Sequence, residues 1–361
     1  MAYQIKTTLV EKSRLSEIDF DNIPFGKTFS DHMFVADYKD GEWTNAQIIP
    51  FGHFQIHPAA MALHYGQAIF EGMKASVSHD GKPMFMRPEM HVERFNASAA
   101  RLMMPSVPAE LFLSAIHEIV ALDAAWIPPA KGSALYLRPY MFACDEFIGV
   151  KPSKTYKFIV FTGPVGPYYP KPVSLYADMH YIRAAAGGTG FAKCAGNYAG
   201  SLLPAQNAID KGYDQVLWLD AKEHKYIQEV GTMNIFFHIG DKLVTPDIEQ
   251  DTILKGITRD SAIKFWRSKG IEVDERQISI DEVVEAFDKG ELKGAFGTGT
   301  AAVVAHVHQI AYGDKVMNIE HGNPESPGQM FKTFIDNLRA GTIEDEFGWI
   351  VPVKSSTLAT V

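Results

Sequence analysis

Alternating hydrophobic and polar positions run through the first part of the chain and predict β-strands there. Two stretches, FVADYKDGEWTNAQI and KASVSHDGKPMFMR, each place an Asp-Gly pair between extended runs, at Asp40-Gly41 and at Asp80-Gly81. A type I′ turn needs positive φ at both central residues, and Asp-Gly is one of the pairs that accept it. Both stretches are therefore predicted to form β-hairpins.

Strands and helices follow one another over the rest of the first half. ALYLRPYMF alternates, with Tyr136 and Arg138 on one face and two leucines on the other, and it predicts a strand. TYKFIVF has the composition of a further strand. Helices are predicted over residues 89–104 and 109–125, where apolar residues recur at helical spacing.

The second half mixes strands with helices. QVLWLD, KYIQEV and NIFFHIGDKLV are typical of consecutive strands, the last forming a hairpin about Gly240-Asp241. A capping box, formed by a serine three residues before a glutamate, marks one helix start, and Pro at the first position marks another. The predicted helices cover residues 257–269, 280–289 and the segment from Ser326 to just before Gly341.

The order of elements predicts an α+β fold with two domains. Strands and helices are intermixed without regular βαβ alternation, and 361 residues exceed what one hydrophobic core usually serves. GPVGPYYPKP, at 163–172, is the dense Gly/Pro stretch of mid-chain. We therefore predict an N-terminal α+β domain over 1–162, an interdomain linker over 163–173, and a C-terminal α+β domain over 174–361 that carries the candidate lysine Lys193.

Composition narrows the class of protein. The net charge is −9 with a pI near 5.8, which argues against nucleic-acid or anionic-membrane partners. Only two cysteines occur, without a CxxC pair, so neither a disulfide framework nor a thiolate metal site is expected. His306 and His308 alternate on one strand without a further ligand at metal spacing, and no metal is predicted. The first residues lack the apolar core of a signal peptide, and a cytoplasmic enzyme is expected.

Two glycine-rich segments carry candidate chemistry. GGTGFAKCAGNYAGS surrounds a single charge, Lys193, but lacks the flanking Gly and Ser/Thr of a phosphate loop. GAFGTGTAA fits GxGxxA, yet VVAHVHQIAYG follows it as an extended run instead of a helix. This pattern favours a generic anion-binding turn over a dinucleotide fold. A serine hydrolase is also disfavoured because no GxSxG elbow is present.

Lys193 itself has two interpretations, a surface lysine on a loop or a Schiff-base lysine. Schiff-base chemistry requires a free amine near neutral pH, and low local charge with close backbone packing suits it. Pyridoxal phosphate would further need a carboxylate at its ring nitrogen and donors for its phosphate. Glu229 lies in an apolar strand, where a buried acid needs a cationic partner. Gly256 precedes a helix start, so the amides of Ile257 and Thr258 could bind phosphate.

These motifs together resemble the fold-type IV pyridoxal-phosphate aminotransferases, and within them the branched-chain amino acid aminotransferases. The likeness rests on GGTGFAKCAGNYAGS, QEVGTMNIFF, LKGITRDS and FGTGTAA, and extends from about Phe25 to Val353 through FGKTFSDHMF, IHPAAMALHYGQAIFEGMKA, RPEMHVERFNASAARL, LYLRPYMF and GPVGPYYP. D-amino acid aminotransferase and aminodeoxychorismate lyase, of the same fold type, are the alternatives. Both are usually shorter and lack the extension through IHPAAMALHYG.

The resemblance implies a role for each matching residue. Lys193 would bind pyridoxal 5′-phosphate covalently, Tyr198 would hydrogen-bond its phenolic oxygen, and Glu229 would face its ring nitrogen. The implied cofactor contacts further include Arg94, Thr232, Ile257, Thr258 and Thr300, and the implied substrate contacts are Phe29, Tyr65, Phe70, Tyr136, Arg138, Tyr168, Thr300 and Ala301. Within the second set, Arg138 would bind the distal carboxylate of glutamate. Positions 302 and 305 are alanines where some members carry a CxxC redox pair, so no such thiol switch is expected.

The activity implied is a reversible ping-pong transfer of the amino group of leucine, isoleucine or valine to 2-oxoglutarate. Its partners would be small molecules, namely branched-chain amino acids, glutamate and 2-oxo acids. The family is dimeric, so a homodimer is expected.

Overall fold

The computed structural model describes residues 3–130, 132–166 and 171–354. In these ranges the first elements are β1 (Lys6–Thr7), β2 (His32–Lys39), β3 (Glu42–Pro50), α1 (Met61–Tyr65), β4 (Ala68–Phe70), β5 (Met73–Val77), β6 (Pro83–Met86), α2 (Pro88–Arg101), α3 (Ala109–Leu122), β7 (Ala134–Ala143) and β8 (Tyr156–Val165). The later elements are β9 (Val173–Ala177), α4 (Ala195–Gly200), α5 (Leu202–Asp210), β10 (Gln215–Leu219), β11 (Ile227–Val230), β12 (Asn234–Ile239), β13 (Lys242–Thr245), α6 (Ile257–Ser268), β14 (Val273–Glu275), α7 (Ile280–Asp288), β15 (Leu292–Gly299), β16 (Val303–Tyr312), β17 (Lys315–Asn318), α8 (Pro327–Arg339) and β18 (Ile350–Pro352).

The chain divides into two compact units. The first comprises Met1–Tyr168, Ala192–Ala195 and Asp336–Val361, and the second comprises Tyr169–Phe191 and Gly196–Ile335. Two segments thus fall differently from the predicted domain limits. Residues 192–195, which include the candidate lysine, and the end of α8 with the residues after it pack with the first unit.

The first unit is built on a mainly antiparallel sheet. Its strand order is β1-β3-β2-β8-β7-β5-β6-β18, with β4 paired to the other end of β7. Helices α2 and α3 supply apolar faces to the same core cluster as the sheet. There Phe95 and Phe112 pack against Phe158 of β8, with ring centres 5.6 and 5.5 Å apart. The alternation of β7 is as predicted, since its two leucines are buried while Tyr136 and Arg138 are half-buried.

The second unit contains a mixed sheet. Its strand order is β11-β10-β9-β16-β15-β12-β13-β14, with β17 on β16. The pairs β9–β10, β9–β16 and β13–β14 are parallel, and the others are antiparallel. Helix α7 covers this core and starts as predicted, because Ser279 Oγ accepts a hydrogen bond of 3.1 Å from the Glu282 amide. Both units combine helices with sheets, so the predicted α+β class is confirmed.

The two Asp-Gly hairpins differ in their turns. Asp40 and Gly41 both have positive φ, 53° and 89°, between the paired residues Lys39 and Glu42, as a two-residue turn requires. The second hairpin also forms, but the predicted two-residue turn is wrong. Its loop has five residues between β5 and β6, and only Gly81 in it has positive φ. The Ser78 side chain takes part in this loop by accepting the Lys82 amide, which stabilises the wider turn.

Two further predictions from the sequence concern a dinucleotide-binding helix and a membrane-spanning helix. The GxGxxA segment forms the β15–β16 hairpin, with Thr300 to Ala302 in its turn, so it does not open a dinucleotide-binding helix. Among the described residues, no helix is long and apolar enough to cross a bilayer.

Candidate active site

Lys193 lies on a short segment between a turn and α4, and hydrogen bonds fix its backbone on both sides. Its amide donates to Ser98 Oγ of α2 at 2.9 Å, and its carbonyl accepts from the Phe70 amide at 3.0 Å. Ala192 and Cys194 on either side are buried in the core of the first unit. Lys193 between them is only half-buried.

Phe70 is the centre of a group of four predicted site residues. Lys193 Nζ lies 4.9 Å from the centre of its ring, and the guanidinium carbon of Arg138 lies 4.7 Å from it. Arg138 also donates to Tyr136 Oη at 3.2 Å. Gly72 permits this arrangement, because a Cβ there would overlap the Tyr136 hydroxyl. The first unit therefore brings an amine, a guanidinium and two aromatic rings together.

The other predicted substrate residues of the first unit are placed less closely. Phe29 packs edge-on against Phe161, at 5.3 Å, and Phe161 is the cross-strand neighbour of Arg138. Tyr65 ends α1 and remains 39% exposed. Tyr168 lies outside the described residues.

Arg94, the predicted phosphate-binding arginine, forms a two-point ion pair with a carboxylate that the sequence interpretation missed. Its Nε and one terminal nitrogen donate to the two oxygens of Glu71, at 2.7 and 2.8 Å. His91 Nδ1 lies 2.8 Å from Glu71 Oε2, and the Gly72 amide donates to the same oxygen at 3.2 Å. Glu71 is fully buried, and His91 and Arg94 are both largely buried.

The protonation states of this cluster follow from its contacts. Burial by itself raises the pKa of Glu71, but the charge and hydrogen bonds of Arg94 and His91 outweigh it and hold that pKa well below its usual range. Burial lowers the pKa of His91, and the charges of Arg94 and Lys193 lower it further, so the pKa is below its usual value although Glu71 raises it. The ring is therefore neutral at pH 7. Because an ionised carboxylate can only accept hydrogen bonds, the proton of the ring is on Nδ1, and the Nδ1–H group donates a hydrogen bond to Glu71.

The second unit also contains a buried ion pair, and its carboxylate is that of Glu229. It is 2% exposed, and Arg183 Nη1 lies 2.7 Å from its Oε2. This is the cationic partner that a buried acid at this position requires. Arg183 is itself anchored, since it donates to the carbonyl groups of Gly190 and Thr252 at 3.2 and 3.0 Å. Asn234 Nδ2 donates to Glu229 Oε1 at 3.1 Å.

The first turn of α6 is built against the same asparagine. Asn234 Nδ2 also donates to the Leu254 carbonyl at 2.9 Å, and a Cβ at Gly256 would overlap Asn234 Oδ1. Gly256 is the N-cap residue, and it supplies no side chain to cap the amides that follow. The N-terminus of a twelve-residue helix, with Ile257 and Thr258 in its first turn, therefore lies beside the partner of Glu229. Such a helix end is suited to an anion.

The remaining predicted residues of the second unit lie in turns or on α4. Thr232 is in the β11–β12 turn and is exposed, and Thr300 and Ala301 are half-buried in the β15–β16 turn. These turns are at the same end of the sheet, since Asn234 pairs with Thr298 across β12 and β15. Tyr198, half-buried, belongs to α4.

Sequence reasoning missed four residues of these clusters, Glu71, His91, Arg183 and Asn234. One signal was available for the first. Glu71 is an acid in the apolar run AIFEGMKA, and the argument applied to Glu229 holds equally for it. The other three carry no local signal, because their importance depends on partners that are 5 to 46 residues away.

Comparison with known proteins agrees with this picture. Residues 68–310 match the family described as Amino-transferase class IV. Branched-chain-amino-acid aminotransferase 2 of Bacillus subtilis is 45% identical over 343 residues, which cover 94% of each chain. The crystal structure of the Escherichia coli branched-chain amino acid aminotransferase has a TM-score of 0.74 and 26% identity, and covers 90% of this chain and 99% of its own.

A second solved structure adds a ligand. The T.th. branched-chain amino acid aminotransferase complexed with N-(5′-phosphopyridoxyl)-L-glutamate has a TM-score of 0.71 and 27% identity, and covers 88% of this chain and 98% of its own. The resemblance and the two-domain fold predicted from the motifs are thereby confirmed. The chain belongs to the class IV aminotransferases and, within them, to the branched-chain amino acid aminotransferases.

Proposed function

We propose that this enzyme transfers the amino group of leucine, isoleucine or valine to 2-oxoglutarate by a reversible ping-pong reaction that uses pyridoxal 5′-phosphate. The observation that carries the proposal is the setting of Lys193, whose backbone is fixed on both sides while its amine lies beside Phe70. The phosphopyridoxyl-glutamate ligand of the T.th. relative supports both the cofactor and the glutamate half of the reaction.

The residues present fit that cofactor. A phosphate needs donors at a positive helix end or on an arginine, and the chain offers the first turn of α6 and Arg94. Gly256 keeps the start of α6 free of a side chain of its own. Ile257 and Thr258 would donate amides, with Thr300 and Thr232 as further contacts, and Lys193 would supply the covalent bond. Tyr198 would donate its hydroxyl to the phenolic oxygen.

Glu229 would hold a proton at the ring nitrogen. Pyridoxal phosphate, when bound, supplies an electron-withdrawing ring that stabilises negative charge at the substrate Cα. That ring withdraws most strongly when its nitrogen is protonated, and an ionised carboxylate favours this state. Arg183 and Asn234 both contact the Glu229 carboxylate and position it.

Lys193 would also act in proton transfer. With the cofactor bound, the Lys193 amine would be the general base that takes a proton from the substrate Cα in one half-reaction, and it would supply a proton to that carbon in the opposite half-reaction. Fixing both peptide groups of a residue restricts where its side chain can reach. This restriction supports the assignment of the Lys193 amine as the general base.

The substrate pocket must accept an apolar side chain and a second carboxylate in turn. Phe29, Phe70, Tyr65, Tyr136 and Tyr168 would provide apolar and aromatic walls, and the amides of Thr300 and Ala301 would bind the α-carboxylate. Arg138 would bind the distal carboxylate of glutamate. Its Nε is buried and, among the described residues, has no hydrogen-bond partner. A buried donor without a partner is costly unless a ligand satisfies it.

We also propose that the protein works as a homodimer in the cytoplasm. The first unit exposes large apolar side chains, among them Leu63, Ile148 and Val150. A continuous patch formed from such side chains would suit an interface between subunits. Sedimentation equilibrium would test the dimer.

The covalent bond at Lys193 provides the decisive test of the proposed function. Borohydride treatment of the purified enzyme, followed by peptide mapping, should find the reduced cofactor on Lys193. A reduced adduct on another residue, or none, would overturn the proposal. A panel of amino donors, read by the glutamate formed from 2-oxoglutarate, should then show turnover with leucine, isoleucine and valine. Turnover with D-amino acids alone would favour D-amino acid aminotransferase, and release of pyruvate from added aminodeoxychorismate, without turnover in the panel, would favour the lyase.

A further inference from the structure

We propose that Glu71, supported by His91, is a positioning residue that orients Arg94 for the phosphate of the cofactor. The inference rests on the proposed function, because it takes Arg94 as a phosphate ligand. It goes further by assigning the selection of a phosphorylated cofactor to a buried carboxylate that is not among the predicted cofactor or substrate contacts.

The contact between Glu71 and Arg94 fixes the plane of the guanidinium. The two carboxylate oxygens accept from Nε and from one terminal nitrogen, at 2.7 and 2.8 Å. This two-point geometry leaves a single orientation of the planar group. Three further N–H donors of the guanidinium point along its other edges. Glu71 therefore determines where those donors point.

The carboxylate is itself held in place. Glu71 Oε2 also accepts from His91 Nδ1 and from the Gly72 amide, and the Glu71 amide donates to the Pro139 carbonyl at 2.7 Å. His91 and Arg94 are three residues apart on α2, so they reach Glu71 from one face of the helix. The same helix holds Lys193, because Ser98 Oγ accepts the Lys193 amide.

The charges of the cluster leave orientation as its main function. Glu71 is ionised and His91 is neutral, so the carboxylate offsets the charge of Arg94. A carboxylate of this kind weakens the long-range attraction of Arg94 for an anion. Glu71 therefore reduces the attraction of Arg94 for phosphate, but it also orders the Arg94 side chain before phosphate binds. An arginine that is already ordered loses less entropy on binding, and we infer that this gain outweighs the lost attraction.

Selectivity for the phosphate separates this role from general stabilisation. The full-length protein, freed of cofactor, is titrated with pyridoxal phosphate and, separately, with pyridoxal, and the absorbance of the lysine-bound chromophore reports binding. In Glu71→Gln the affinity for pyridoxal phosphate should fall by about tenfold or more, with little change for pyridoxal. The ratio of the two affinities is the measured quantity. Glu93→Gln, at an exposed position one residue before Arg94, is the matched control and should keep the wild-type ratio.

The other outcomes decide against the inference or against the function on which it rests. An unchanged or increased preference for pyridoxal phosphate in Glu71→Gln overturns the positioning role, and so does an equal loss for both ligands. If Glu71→Gln does not fold, Glu71→Asp retains the charge but is too short to bridge both donors, and it should lower the same ratio. Arg94→Met tests the premise, because methionine has neither the charge nor the donors. If Arg94→Met keeps the wild-type ratio, Arg94 does not bind the phosphate and the assignment in the proposed function fails.

Discussion

Two buried ion pairs, one in each unit, have similar chemistry and opposite arrangements. In the first unit Glu71 is held by its surroundings and orients Arg94 through two parallel hydrogen bonds. In the second unit the arginine is the anchored partner. Arg183 is fixed by backbone carbonyl groups, and Glu229 is the group that is oriented. In each pair the residue held by backbone groups orients its partner, and that partner is the residue that we assign to the cofactor.

The two carboxylates also differ in whether their second hydrogen-bond donor can titrate. Glu71 accepts from a histidine that is neutral because it is buried, whereas Glu229 accepts from Asn234, an amide that does not titrate. Asn234 also supports the start of α6, so the second pair is connected to an anion-binding helix end. We therefore expect the first pair to depend on pH through His91, and the second to determine catalytic rate.

The largest effect is expected from removing the anchored arginine. Arg183→Met leaves Glu229 buried without its cation, and breaking a buried pair in this way should lower the free energy of unfolding by about 3–5 kcal/mol. Urea denaturation measures the change. The double variant Arg183→Met/Glu229→Gln should recover much of the loss, because it removes the unpaired charge. Lys289→Met, which breaks an exposed pair with Glu285, is the control and should cost far less. A loss for Arg183→Met as small as that of the control would contradict the anchoring role.

A catalytic effect of the next size is expected at Glu229. Glu229→Gln should lower kcat by about 10²–10³-fold at saturating cofactor and amino donor, since one preorganised electrostatic contact is removed. Borohydride mapping should still find the cofactor on Lys193. Steady-state kinetics with leucine and 2-oxoglutarate gives the number, and Glu285→Gln serves as the exposed control. Full activity in Glu229→Gln would show that this carboxylate does not serve the ring nitrogen.

The smallest expected effect is a pH dependence of the free energy of unfolding, which among the two ion pairs involves only the first, through His91. The pKa of His91 is lowered in the folded protein, and its unfolded value is about 6.5. Between these values the unfolded state binds more protons, so stability falls as the pH falls through that window. His91→Asn keeps a donor for Glu71 but does not titrate. The variant should therefore lose less stability than the wild type between pH 7 and pH 5.

Urea titrations at several pH values would check this third prediction. The pKa values of His117, His238 and His306 are lowered by burial as well, but these residues are present in both proteins and cancel in the difference. His53→Asn removes an exposed ring and is the control. Parallel curves for the wild type and His91→Asn would indicate that His91 does not contribute through its titration.

Local patterns predicted many elements because their causes lie within a few residues. The Asp40-Gly41 turn depends on two adjacent φ values, and the capping of α7 depends on residues three apart. The same reasoning predicted a two-residue turn at Asp80-Gly81, and that prediction was wrong. There the Ser78 side chain accepts the Lys82 amide and so stabilises a five-residue loop, an interaction that a two-residue motif does not contain.

The sequence by itself determined the class of elements, the buried position of Glu229 and the family, since these depend on composition, periodicity and short motifs. The tertiary structure decided the partners. Glu71 meets Arg94 across 23 residues and Glu229 meets Arg183 across 46, and the chain must fold before either pair exists. A buried charge requires a counter-charge within a few ångströms, but the periodicity of the chain does not specify which residue supplies it. Strand pairing and helix packing make that choice.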